Sequence, residues 1–365
     1  MATSAAGLQT HIWNNNLKSV VLLCIYPVLI TGIVWACAYV VSGSMFANSM
    51  HAPYIIVTGN IPNAPMAQAN ALIFEYWPLI LAGIAIWFTV AYFFHTRMVR
   101  KLAHSHPVTR KDEPELYNML ENLSIAAGMP MPKLEIIETH ARNAFASGID
   151  QKSFTVTVTR GLMNSLTKDE LEAVLAHELT HILNRDVRLL IITIIFTGMI
   201  GFAAQLVWSN IRYGFIYSGN RRKGGGILIM MALAFTLWLG YVLTLFTRFA
   251  ISRKREYMAD AGAVQLTKNP ESMMRALMRI SGRDRIPETT DDIAMMCIEN
   301  AKPFMGLFAT HPPIEKRIRA LSQTTNTPVP ELSMPPAPPE HRFEKKTEFK
   351  NPWLVRNRGK RRQIR

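Results

Sequence analysis

Residues 174–196 read VLAHELTHILNRDVRLLIITIIF, and two features of that stretch decide the architecture. It opens with H-E-x-x-H and then runs, without Gly or Pro, into an uncharged apolar segment. His177 and His181 are four residues apart on a predicted helix, so both imidazoles project from one face and can share a metal ion. Glu178 follows the first of them, where a carboxylate suits a general base acting on a metal-activated water. Two surface histidines on an amphipathic helix would share this spelling. The context argues otherwise: Thr167-Lys168-Asp169-Glu170 just upstream is a capping box, and the helix that follows is apolar-periodic.

Outward from the motif, the chain is rich in apolar residues (49%) and poor in charge (18%) over its 365 residues. Four uncharged stretches, Val20–Val41, Tyr76–Phe94, Leu189–Trp208 and Ile227–Thr247, each come near the roughly 20 residues a helix needs to cross a bilayer. The first lacks a basic leader and a small-residue cleavage site, so it reads as an uncleaved anchor. Residues 42–70 carry no Lys or Arg, whereas Arg97, Arg100, Lys101, Arg110 and Lys111 follow the second stretch. Positive residues mark the inner side, which puts the residues after His95 in the cytoplasm. Arg212, Arg221, Arg222 and Lys223 conflict with this, because a full double crossing by residues 189–247 would place them outside.

The expected organisation is a two-helix anchor (1–95, external loop 42–70), a first soluble half (96–188), a membrane hairpin (189–247), a second soluble half (248–322) and a tail (323–365). In the first half, Glu113–Ala127 has helical periodicity, and Leu134–Glu138 and Phe154–Thr159 read as strands. Asn143–Gly148 between them is a small-residue loop or strand edge. The fold class expected is mainly α with a small β-sheet, an α+β zincin-like domain on about four transmembrane helices. The tail is Pro-rich from Pro328 to Pro339, which predicts disorder. Its last 25 residues hold ten Lys or Arg against two Glu, suiting anionic lipid headgroups; no nucleic-acid-binding fold is visible, so no nucleic acid is expected. Cys24, Cys37 and Cys297 form no disulfide framework, in keeping with a reducing cytosol. His104 and His106 read as a surface loop rather than a second metal site.

A hydrolytic metal needs a third protein ligand and an open position. Glu256, Glu271, Glu288, Glu299 and Glu315 all lie downstream. If the helices carrying the motif and the fourth apolar stretch ran unbroken, His181 and Glu256 would each stand about 12–14 Å from the membrane edge. An antiparallel hairpin then brings Glu256 level with the histidines. Asp260, four residues on, shares its face and can accept a hydrogen bond from a ligand imidazole. The competing reading for both is a solvated face beside Arg253 and Arg255.

Five motifs in order resemble the HtpX family of membrane zinc endopeptidases, relatives of the CAAX prenyl proteases. They are Asn143-Ala-Phe-Ala-Ser-Gly148, Thr159-Arg-Gly-Leu162, Val174–His181, Arg255-Glu-Tyr-Met-Ala-Asp260 and His311-Pro-Pro-Ile-Glu-Lys-Arg317. The resemblance runs from about Pro107 to Leu321. It implies one Zn2+ per chain held by His177, His181 and Glu256, with Glu178 as base and Asp260 orienting a ligand. It implies that His311 and Arg317 stabilise the oxyanion; by spacing alone these are a loop residue and a surface cation. Asn143, Ala144, Phe145 and Ala146 would form the edge that pairs with an extended substrate; by themselves they suit a tight turn equally.

The expected protein is thus a polytopic zinc endopeptidase of the bacterial inner membrane, its site facing the cytoplasm. Its substrates would be proteins or peptides, chiefly misfolded membrane proteins under stress. The rivals are a prenyl-protein protease, for which four apolar stretches are few, and a zinc-stabilised scaffold, which would need no Glu178.

Overall fold

The computed structural model describes residues 8–50, 65–217, 225–249, 254–281 and 312–331. His311, Glu288, Glu299, Arg221, Arg222, Lys223 and the tail from residue 332 lie outside them. In chain order the helices are α1 (Leu8–Met50), α2 (Pro65–Ala103), α3 (Pro114–Ala126), α4 (Arg160–Ser165), α5 (Lys168–Leu183), α6 (Asp186–Tyr217), α7 (Gly225–Phe249), α8 (Lys254–Thr267), α9 (Pro270–Ile280) and α10 (Ile314–Thr325). The strands are β1 (His106–Pro107), β2 (Lys133–Ile137), β3 (Ala144–Ser147) and β4 (Thr155–Thr159). The protein is mainly helical with one small mixed sheet.

Among the described residues, three helical segments are long and apolar enough to cross a membrane: Leu17–Ser44, Pro65–Ala103 and Asp186–Arg212. Ile229–Leu243, inside α7, is a shorter apolar helix among the described residues. Both α1 and α2 overrun their apolar stretches into the span expected as a loop over 42–70, ending at Met50 and starting at Pro65. Once a helix is nucleated each further residue adds a hydrogen bond, so polar, uncharged residues extend it readily. Trp35 Nε1 donates to Asn70 Oδ1 (2.8 Å), tying the two helices where they approach that connection. Lower down, Tyr26 of α1 stacks on Phe196 of α6 with ring centroids 4.6 Å apart.

The sheet order is β1-β2-β4-β3. β2 and β4 are parallel, the outer pairs antiparallel, and β3 is an edge. The alternation at Phe154–Thr159 therefore belongs to an inner strand covered on both faces, and Val156 and Val158 are fully buried. Two glycines shape the ends of this hairpin. Gly148 has φ +113°, and a Cβ there would meet the Ser153 carbonyl at 2.6 Å. At Gly161 a Cβ would strike the His140 carbonyl oxygen at 2.2 Å.

α5 is the central element. Leu171, Ala173 to Leu179 and Ile182 are all buried, so it is covered on every side. It packs against α8, α9, α3 and β3. Its start is the capping box read from the sequence: Thr167 accepts from the Glu170 N–H and Glu170 accepts from the Thr167 N–H. The second oxygen of Glu170 accepts from Arg279 Nε of α9 (2.9 Å), a buried pair that docks α9 onto the helix carrying the histidines.

Candidate functional site

α5 presents His177 and His181 one turn apart, their rings perpendicular and their Nε2 atoms 3.2 Å from one another. Glu256, in the first turn of α8, faces both. Its Oε2 lies 3.8 Å from His177 Nε2 and its Oε1 lies 3.7 Å from His181 Nε2. These separations are too long for hydrogen bonds. They match donors that each reach a common ion over about 2.0–2.2 Å. All three side chains are buried, and one ligand atom from each lies within 4.8 Å of the others. Two imidazoles and a carboxylate form a donor set that suits zinc.

The outer nitrogens are held by carboxylates, as ligand imidazoles generally are. His177 Nδ1 lies 3.0 Å from Asp260 Oδ1. Asp260 in turn takes two bonds from Arg317, from Nη2 to Oδ1 (2.6 Å) and from Nε to Oδ2 (2.9 Å). Both are buried, which excludes the competing solvated-face reading of Asp260 and the surface position that spacing alone suggests for Arg317, the largest fully buried side chain among the described residues. Arg317 Nη2 also sits 3.4 Å from His177 Nε2, at the edge of the donor cluster. On the other side, His181 Nδ1 meets Asp186 Oδ2 at 3.1 Å.

Electrostatics follow burial. Burial drives the His177 pKa down to about 4, against the opposing pull of Asp260, so this imidazole is neutral and its ring nitrogen can act as a ligand. On His181 burial is outweighed by the Glu256 and Asp186 carboxylates, which raise the pKa. Burial pushes Glu178 up to about 7, with Glu256 adding to the rise and the Ala146 N–H of β3 opposing it. A carboxyl group poised near neutrality can both take up and return a proton. Asp260 is held below its ordinary value, because the Arg317 guanidinium outweighs the cost of its burial.

Of the residues singled out from sequence, His177, Glu178, His181, Glu256, Asp260 and Arg317 converge on one buried locus. Ala144, Phe145 and Ala146 lie on β3, an edge strand rather than a tight turn, and β3 packs against α5. Asn143 precedes that strand; its side-chain Oδ1 accepts from the Ala144 N–H (2.9 Å). His311 is outside the described residues. α5 does not run unbroken into α6, so the height expected for His181 from a continuous helix does not hold. α5 stops at Leu183, Arg185 adopts φ +63°, and α6 starts afresh at Asp186.

Two contributors were missed. Asp186 follows a helix break that the apolar pattern conceals, so its return to His181 has no periodic signature. Gly262 did leave a trace, as a lone glycine inside a helical pattern. A Cβ there would lie 2.4 Å from Thr180 Cγ2 and 2.8 Å from its Oγ1, so the bare backbone sets how closely α8 approaches α5. Gly262→Ala is expected to destabilise the fold by about 1–3 kcal/mol in denaturant titrations. Metal affinity should fall with it, and adding Thr180→Ala should restore both; no rescue would remove the close contact as the cause.

Against known proteins, the model of Peptidase family M48 matches residues 110–325. A protease HtpX homolog of Bacteroides fragilis is 39% identical over 332 residues, covering 87% of this chain and 98% of that protein. One from Tropheryma whipplei is 37% identical over 252 residues, covering 68% of this chain and 84% of that protein. The crystal structure of S. mikatae Ste24p is 22% identical with a TM-score of 0.42, covering 74% of this chain and 66% of that one. A score that low carries no argument about the site.

Proposed function

The chain belongs to peptidase family M48, among the HtpX-type membrane metalloproteases, and we propose that it is a zinc endopeptidase using His177, His181 and Glu256 as ligands and Glu178 as general base. The observation that carries this reading is the meeting of Glu256 with two histidines more than 70 residues earlier in sequence, buried and within 4.8 Å. When bound, zinc would polarise the scissile carbonyl and acidify the attacking water. Glu178 would take the proton from that water and pass it to the leaving amine. Asp260 and Asp186 keep the two imidazoles oriented. Edge strand β3, preceded by Asn143, aligns an extended substrate beside Glu178. His311 and Arg317 are the proposed oxyanion partners, with Arg317 held in place by Asp260.

The protease domain is proposed to be discontinuous, its two halves interrupted by the α6–α7 hairpin. Its natural substrates are proposed to be damaged or misfolded membrane proteins of the bacterial inner membrane, cut on the cytoplasmic side. The basic tail is proposed to rest on anionic headgroups.

The test is metal-dependent cleavage of reduced, carboxymethylated α-lactalbumin by the purified chain in detergent. Chelation should stop cleavage and zinc should restore it. Glu256→Ala should lower the metal content of the protein, leaving fewer than three protein ligands. Full zinc retention by Glu256→Ala would remove Glu256 from the ligand set, and cleavage unaffected by chelation would remove the metal from the mechanism.

A further inference from the structure

Contacts between the long apolar helices and the sheet set how near the site stands to the apolar surface of those helices. α2 enters the protease domain and α6 leaves it, and three contacts set their relative height. Trp87 Nε1 of α2 donates to the Ile195 carbonyl of α6 (3.1 Å). Further toward the domain, the Tyr92 hydroxyl donates to Asp150 Oδ2 (2.7 Å) in the turn between β3 and β4. Arg188 Nε of α6 donates to the adjacent Ile149 carbonyl (2.9 Å). Tyr92 and Arg188 are therefore level, both bolted to the same turn.

The uncharged apolar surface of α2 ends at this level, and beyond it exposed Met98 and Leu102 alternate with Arg97, Arg100 and Lys101. Phe93 is 71% exposed and Phe94 46% exposed, and the first charged side chain beyond them is Arg97. Where an exposed apolar surface gives way to cations, a spanning helix leaves the hydrocarbon on its inner side. On α6 that boundary falls near Arg188, two residues from Asp186, whose carboxylate is 3.1 Å from His181 Nδ1. The site thus lies about one to two helical turns, or 5–10 Å, from the boundary. This is closer than the height expected from unbroken helices, because the break at Arg185 lets Asp186 reach back to His181.

We propose that this protease acts on the juxtamembrane segment of other membrane proteins, cutting within about the first six residues after a transmembrane span. An extended chain covers about 3.3–3.6 Å per residue, so two or three residues bridge the gap and a few more fill the cleft. The position of the cut is measured from the bilayer more than from the side chains around the bond. This inference rests on the peptidase reading above.

The probe is a single-span protein carrying two identical tandem copies of a segment cut in carboxymethylated α-lactalbumin, reconstituted with the enzyme in phosphatidylcholine vesicles. The membrane-proximal copy should be cut at least about tenfold faster than the distal one, the advantage of a tether whose length matches the gap. In the same vesicles, the tandem segment freed from its span should be cut equally in both copies. Equal rates on the anchored probe, a faster distal copy, or cuts inside the span would overturn the proposal while leaving the peptidase reading intact. No cleavage of any probe by the zinc-loaded wild type would overturn both.

Discussion

Glu178→Gln is expected to lower cleavage of carboxymethylated α-lactalbumin by roughly 10²–10⁴-fold, the usual contribution of a positioned general base, while zinc content stays at the wild-type level. Gln is isosteric and leaves His177, His181 and Glu256 in place, so only proton transfer is removed. Folding is not the confounding variable, as the sign of the pKa shift shows. Burial raises the folded-state pKa of Glu178 from 4.5 to about 7. In the metal-free protein the folded state therefore holds that proton more tightly than the unfolded state does. Stability is lost as pH rises through this window and the carboxylate must charge while buried. A neutral Gln escapes that cost, so the metal-free variant should be no less stable than wild type at pH 8. Unchanged cleavage by a zinc-loaded variant would remove Glu178 from the mechanism. Zinc loss would instead make it a ligand or a support for one.

Arg317→Ala is expected to give the largest loss of stability among single substitutions at the site. Arg317 is fully buried and makes two bonds to Asp260, itself 1% exposed. Removing one member of a buried pair strands the other, at a cost of about 3–5 kcal/mol. Near 2–4 °C per kcal/mol for a domain of this size, the thermal midpoint should fall by about 10 °C. The loss should persist in the chelated protein, because the pair stands whether or not metal is bound. The double variant Arg317→Met with Asp260→Asn should be less destabilised than the sum of its parts, since no charge is stranded. A midpoint within about 1 °C of wild type would mean that Arg317 is not held as the structure has it, and that its role is confined to the substrate.

The two predictions separate kinds of information. The placing of Glu178 beside the two histidines was legible because the three residues share one helical turn, and a helix places i and i+4 on one face wherever it sits. The capping box, the helix over residues 114–126 and the inner strand Thr155–Thr159 were legible for the same reason, each being written in adjacent residues. Arg317 was not. A cation between Lys316 and Ile318 looks like a solvated surface residue, and only its packing against α8 brings it to an acid 57 residues away. Glu256 lies between these cases. The equal offsets of the two sites from the apolar stretches pointed to it, although the unbroken helices behind that estimate do not exist at Arg185.

By itself the sequence determined which groups are available and where: two imidazoles and a carboxylate on one helix, next to a long apolar segment. Local rules suffice for that, because helical period, capping and hydrophobic length act over a few turns. Tertiary structure alone decided that Asp186 turns back to His181, that Asp260 lies between His177 and Arg317, and that Gly262 lets two helices close to the distance a metal requires. These are meetings of buried groups across a packed core. They depend on shape and on the cost of leaving charge unpaired in low dielectric, and no period in the chain records them.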